Sequence, residues 1–220
     1  EVTTAPTSAA ELLAWAKAHP GRFTYPKPPQ FHGSSFLKQI LLELTPNSAP
    51  LYREATERDF AQLTAPLWAW LDELHPALWR KGKLFPTSAA ETKQLLDDGE
   101  LAMAISFNPG EAQSSVQNGT LPPAVKAVAM AKGALTNSHF LAIPFNASAR
   151  AGAKVVANFL LSPTAQARKA DPAFWGDPSV LRQDALPGNN QPALRFKAVA
   201  EPHPSWQTRL EAAWAERYGH

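Results

Sequence analysis

Proline constrains this chain more than any other residue, with 21 of 220 positions against an average usage of about 5%. Proline ends helices and is excluded from central strands. The chain should therefore fold into short elements with sharp boundaries. Apolar residues make up 45% and include 7 Trp and 11 Phe, too many for a disordered linker. The length suits one large domain or two small ones.

The boundaries can be read from capping chemistry. Thr-Ser-Ala-Ala-Glu occurs at Thr7–Glu11 and again at Thr87–Glu91. Each copy is a capping box, with Ser accepting from the amide three residues on and Glu reaching back. The spacing predicts helices from Ser8 to about His19 and from Ser88 to about Asp98. The flanks differ, so shared capping explains the match better than an internal repeat. Arg22–Tyr25 reads as a strand closed by Pro26, and the segment from Lys27 to Gly33 as a loop. Ser34 or Ser35 should then open an apolar helix, Phe36–Leu44. Leu63, Leu67, Trp70, Leu71, Leu74 and Leu78 share one helical face, which Pro66 should start or bend and Pro76 interrupt, with Gly82 as C-cap. Leu101–Phe107 reads as a buried strand ending in the loop Asn108-Pro109-Gly110. Ala124–Met130 and Phe140–Ile143 read as two further strands. Ala149–Leu161 should be a helix with its Ala, Val and Leu inward. Ser162-Pro163 should open a short helix, Asp171–Pro192 should be irregular, and Trp206–Tyr218 should form a last helix. Helices alternating with strands argue for an α/β fold, a mixed sheet flanked by helices.

Composition narrows the function. Formal net charge is +2, and the longest basic run is Arg80-Lys81 followed by Lys83. A nucleic-acid binder gathers its cations into a stripe, so no nucleic-acid partner is expected. The lack of cysteine removes disulfides, thiolate metal sites and Cys nucleophiles together. The six histidines form no metal-ligand spacing, and no metal site is expected. Phosphate-binding loops, dinucleotide fingerprints and nucleophile elbows are absent from the sequence. The expectation is no enzyme and no cofactor. No apolar run approaches the roughly 18 residues that span a membrane. A signal peptide is not evident at the start, which reads as the interior of a mature protein or a processing point.

Two junctions carry ligand-binding chemistry. Phe31-His32-Gly33-Ser34-Ser35-Phe36 places a glycine and two hydroxyls where a loop becomes a helix. Free amides there attract anionic or polar groups, although ordinary capping uses the same residues. Phe107-Asn108-Pro109-Gly110 sets an aromatic and an amide at a strand's carboxyl end, where open α/β sheets bind ligands. A simple turn would read the same way.

The chain resembles the type II bacterial solute-binding proteins of ABC importers. His19–Pro26 followed by Phe31–Phe36 is similar to the start of their second lobe, and Asp98–Ala104 to their D-G-E-strand segment. His139–Pro144 with Asn146-Ala147 resembles the strand that crosses between lobes. Ala157–Gln166 is similar to the helix ending in L-S-P-x-A-Q, the most specific of these signals. Trp175–Leu181 and Pro202–Trp206 narrow the likeness to the YnjB-like subgroup, related to thiamine-type receptors.

The resemblance implies a periplasmic binding protein-like II fold. It implies a receptor that captures a small molecule between two lobes in the periplasm and delivers it to the permease subunits of an importer. Residues 1–123 would be the second lobe, 124–161 a segment returning to the first, and 162–220 a helical segment packing on the second. Most of the first lobe would lie outside this chain, and the exposed partner surface would let the fragment self-associate. The implied solute contacts are Gly33, Ser34, Ser35 and Asn108 by hydrogen bonding, and Phe31, Phe36 and Phe107 by stacking. Asn137 and His139 lie beside the crossing strand. Two other readings remain open from sequence: an α/β enzyme of unrecognised type with its active site in the same cleft, and a structural interaction domain.

Overall fold

The structure, a computed structural model, describes residues 2–108, 110–171, 173–187 and 196–219. The expected loop residue Pro109 and the end of the expected irregular segment, 188–192, lie outside the described residues. The chain separates by packing into two units: Glu1–Phe107 with Val128–Thr136 and Phe196–His220, and Asn108–Ala127 with Asn137–Arg195.

The first unit holds α1 (Ala9–Ala18), α2 (Phe31–Leu44), α3 (Glu57–Leu74), α4 (Ala89–Asp97) and, at the carboxyl end, α8 (Pro204–Tyr218). Ser8 and Ser88 cap α1 and α4 as their pentapeptides predict. Glu11 Oε2 accepts from both the amide and the hydroxyl of Thr7, and Glu91 does the same for Thr87. The backbone bond from Thr7 leads in holding the Glu11 carboxyl below its ordinary range. Helix α3 starts at Glu57, capped by Thr56, nine residues before Pro66. Proline is tolerated inside this helix because Pro66 and Gln62, whose carbonyl loses its donor, both face solvent. Leu67, Trp68, Trp70, Leu71 and Leu74 bury the opposite face.

The core forms where α2 meets α3 and α8. Leu37, Ile40, Leu41, Leu67, Leu71, Trp206 and Trp214 are fully buried. One pair of strands is present among the described residues: β1 (Ala134–Thr136) and β2 (Ala198–Ala200), parallel, with Leu135 opposite Val199. Neither was expected. The Gln39 side-chain amide fastens β1 to α2, donating to Gly133 O and accepting from Leu135 N. Gly133 is required there: its φ is +121°, and a Cβ would sit 2.5 Å from Val199.

The strands expected at Arg22–Tyr25 and Leu101–Phe107 are corrected to a single parallel bridge, Phe23–Met103. The apolar runs were genuine, and Phe23 and Leu101 are buried. The bonds that would extend the ladder go elsewhere, because Trp79 N donates to Phe23 O and Lys27 N to Pro86 O.

The second unit contains α5 (Glu111–Gln117), α6 (Arg150–Leu160), α7 (Pro163–Ala170) and a 3-10 turn, Gln183–Ala185. Ser162 Oγ accepts from Ala165 N, with Pro163 opening α7 as expected. The expected strands Ala124–Met130 and Phe140–Ile143 are corrected to irregular chain. An apolar run becomes a strand only beside a partner, and none adjoins these two among the described residues; Phe140 is 88% exposed. Helix α6 forms where predicted, but its apolar side chains are not inward. Val155, Val156, Phe159 and Leu160 are exposed, and no described α6 residue is buried. No helix of the described residues is long and apolar enough to cross a membrane.

Candidate solute-binding site

The amino end of α2 is the better defined of the two junctions. The helix begins at Phe31, earlier than the sequence suggests, because Gln30 caps it. Gln30 Oε1 accepts from His32 N at 2.7 Å and from Gly33 N at 3.3 Å, and Ser34 N donates to Gln30 O at 2.9 Å. These amides are thus taken by the chain's own cap. Sequence reasoning passed over Gln30 because Gln is not among the preferred cap residues.

This correction moves Ser34 and Ser35 from the helix start into its first turns. Both are buried, at 3% and 5% exposure. Ser34 Oγ donates to Glu211 Oε1 at 2.5 Å. Gln207 donates to the same oxygen and accepts from Lys38, whose ammonium pairs with Glu201 at 2.5 Å. Ser34 therefore belongs to a polar seam joining α2 to α8. Among the described residues Ser35 Oγ has no hydrogen-bond partner. Gly33 is fixed by packing, since a Cβ would lie 2.1 Å from Pro26 O. Phe36 is buried against Tyr25, with ring centroids 4.5 Å apart.

Two expected aromatics meet in the open at this end. Phe31, 44% exposed, sets its ring edge against Phe107 with centroids 4.8 Å apart. The other face of the junction carries His32, 5.4 Å from the Phe31 ring. Phe107 lies four residues beyond Met103, the bridge partner of Phe23. An apolar edge beside a capped helix terminus can hold the flat or apolar part of a small molecule.

In the second unit, Asn108 makes an Asx turn, its Oδ1 accepting from Gly110 N at 2.9 Å. Its Nδ2 donates to Trp175 O at 3.3 Å. His139 reaches the same segment: its ring is 5.6 Å from Trp175, and Nε2 is 3.5 Å from Asp177 Oδ2. Lys169 Nζ lies 2.5 Å from Asp177 and 5.4 Å from the Trp175 ring. Asn108 and His139 are thus gathered on Trp175-Gly176-Asp177, whereas Asn137 is simply exposed. Gly110 and Gly176 allow this approach, because a Cβ on Gly110 would meet Gly176 O at 2.1 Å. The sequence marks Trp175 and Asp177 only through the family resemblance, and Gly176 between them is the local signal of a close approach.

A shallow cavity of about 310 Å³ in the second unit is lined by Ala112, Gln113, Val125, Lys126 and Ala127. None of the expected contacts lines it. No group of three or more His, Cys, Asp or Glu able to hold a metal occurs among the described residues. His75, whose pKa is lowered to about 4 by burial, belongs to the core.

With this geometry in place, comparison defines the class. Residues 2–185 match the family described as bacterial extracellular solute-binding protein, and the chain belongs to that family. It is 48% identical over 221 residues to Protein YnjB of Escherichia coli (strain K12), covering 97% of this chain and 57% of that protein. The chain thus spans just over half the length of its curated relative. No solved structure matches it.

Proposed function

We propose that this chain is part of a periplasmic receptor that captures a small molecule between two lobes and presents it to the permease of an ABC importer. The observation that carries the reading is the family match across residues 2–185. The fold expected with it is periplasmic binding protein-like II. Residues 1–123 form the second lobe, 124–161 return to the first, and 162–220 pack on the second. The exposed apolar side chains of α6 support the return of this segment to a partner outside the chain, since they are surface waiting for one.

Phe31 and Phe107 stack on the solute, with Gly33, Ser34, Ser35 and Phe36 behind them in the first turns of α2. In the second unit, taken by itself, Asn108, Asn137 and His139 are the proposed polar contacts, with Asn108 and His139 converging on Trp175. An enzyme in the same cleft would need an acid–base pair with displaced pKa values. The most strongly displaced groups of the described residues, Tyr25, His75 and Tyr218, lie together in the aromatic core.

A thermal-shift screen of the full-length receptor against a solute library tests this reading. A solute at 100 times its Kd stabilises by about 2.7 kcal/mol, a clear shift. Turnover of the bound compound would favour an enzyme, and silence across the library an interaction domain.

A further inference from the structure

The longest basic run in the sequence sits on an unusual turn. Arg80 and Lys81 have φ of +52° and +59°, followed by Gly82 at +63°. Non-glycine L-residues avoid this left-handed region, and two in succession are rare. The surroundings hold the turn in place. Lys81 N donates to Leu78 O, Lys83 N to Arg80 O and Trp79 N to Phe23 O. Gly82 presses on His75, where a Cβ would lie 2.6 Å from the carbonyl. With its inner side closed by Gly82, the turn presents Arg80, Lys81 and Lys83 outward, all exposed, beside Leu84 at 61% exposure.

The carboxylate that touches the turn, and two on α3, are committed elsewhere. Glu100 accepts from the Trp79 indole, Asp72 from Tyr218, and Glu73 pairs with Lys17. Among the described residues no carboxylate forms an ion pair with Arg80, Lys81 or Lys83. Arg80 instead lies over the Trp79 ring, 5.0 Å from its centroid. Arg80, Lys81, Lys83 and Leu84 share no residue with the candidate solute contacts.

We propose that the turn from Trp79 to Leu84 docks the protein on an anionic lipid surface. Three uncompensated cations attract lipid phosphates, and a neighbouring exposed leucine adds apolar contact at the headgroup boundary. An acidic protein surface would satisfy the charges but leave Leu84 unexplained. The proposal goes beyond the receptor reading and needs neither solute nor permease, so either can fail alone.

The test is co-sedimentation of this chain with phosphatidylglycerol vesicles at low salt, against neutral phosphatidylcholine vesicles. Each cation near an anionic surface contributes about 5-fold, so the preference for anionic vesicles should be about 100-fold and should collapse at high salt. R80N/K81N/K83N should abolish it, with Asn chosen because it tolerates the left-handed region. Should that variant fail to fold, K83Q, at a residue of ordinary backbone, should lose about 5-fold. Equal binding to both vesicle types, unchanged binding by the folded variants, or binding to polyglutamate but not to anionic vesicles would overturn the proposal.

Discussion

The Trp214 indole donates a hydrogen bond to the Tyr25 hydroxyl at 2.8 Å, joining the last helix of the chain to its first extended segment. Tyr25 in turn lies 2.7 Å from His75 Nε2, and all three side chains are buried. The Tyr25 hydroxyl can accept from one and donate to the other, a fully satisfied arrangement inside an apolar shell. Burial leads in raising the Tyr25 pKa well above its usual range, which keeps the hydroxyl protonated and able to donate.

Tyr25→Phe keeps the ring and removes the oxygen. It leaves the Trp214 N–H and His75 Nε2 buried without partners. The expected loss is about 2–4 kcal/mol, read by chemical denaturation. A change below about 0.5 kcal/mol would mean that neither bond contributes.

His75 sets a pH dependence. Burial lowers its pKa from 6.5 to about 4, against an opposing pull from Asp72. Below pH 6.5 the unfolded chain takes up a proton that the folded chain refuses until about pH 4. Stability is therefore complete above pH 6.5 and falls between 6.5 and 4, by about 3 kcal/mol in all. The stability–pH slope of His75→Gln should be flatter than that of wild type across this window. Parallel slopes would contradict the assignment.

Gly33→Ala tests whether Gly33 is fixed by packing. The added methyl would meet the Pro26 carbonyl at 2.1 Å, and this neighbour is backbone rather than a yielding side chain. Destabilisation of about 1–3 kcal/mol is expected, measured by thermal unfolding. A neutral substitution would mean that the loop from Pro26 to Gln30 moves freely from α2.

The open face of α6 predicts association. Light scattering should show this chain forming oligomers at high concentration, and V155K/F159E, both exposed, should restore the monomer. Wild-type chain that stays strictly monomeric would count against the partner surface.

Where chemistry is local, the sequence was readable. Ser8, Ser88 and Ser162-Pro163 mark helix starts because a cap needs only residues within one turn. The α2 start was misjudged for the complementary reason, since Gln30 caps by a reach that few sequences use. The apolar runs at Ala124–Met130 and Phe140–Ile143 have the composition of strands, but pairing is a long-range property that composition does not encode. Phe31 and Phe107 were legible as aromatics at the ends of elements, and their rings meet as neighbours. The gathering of Asn108 and His139 on Trp175 was not, because it depends on contacts across 67 residues of sequence.

Calorimetry tests most directly whether the chain supplies one part of a two-lobed solute site. The solute found by thermal shift is titrated into the full-length receptor and into this 220-residue chain. In a two-lobed site both lobes touch the solute. Losing two or three buried hydrogen bonds at about 1 kcal/mol each removes one to two decades of affinity, and loss of closure weakens the remaining polar contacts. The predicted result is saturable binding without turnover by the whole receptor, and binding at least about 100-fold weaker by the chain. Equal Kd values, or conversion of the compound to a product, would contradict it.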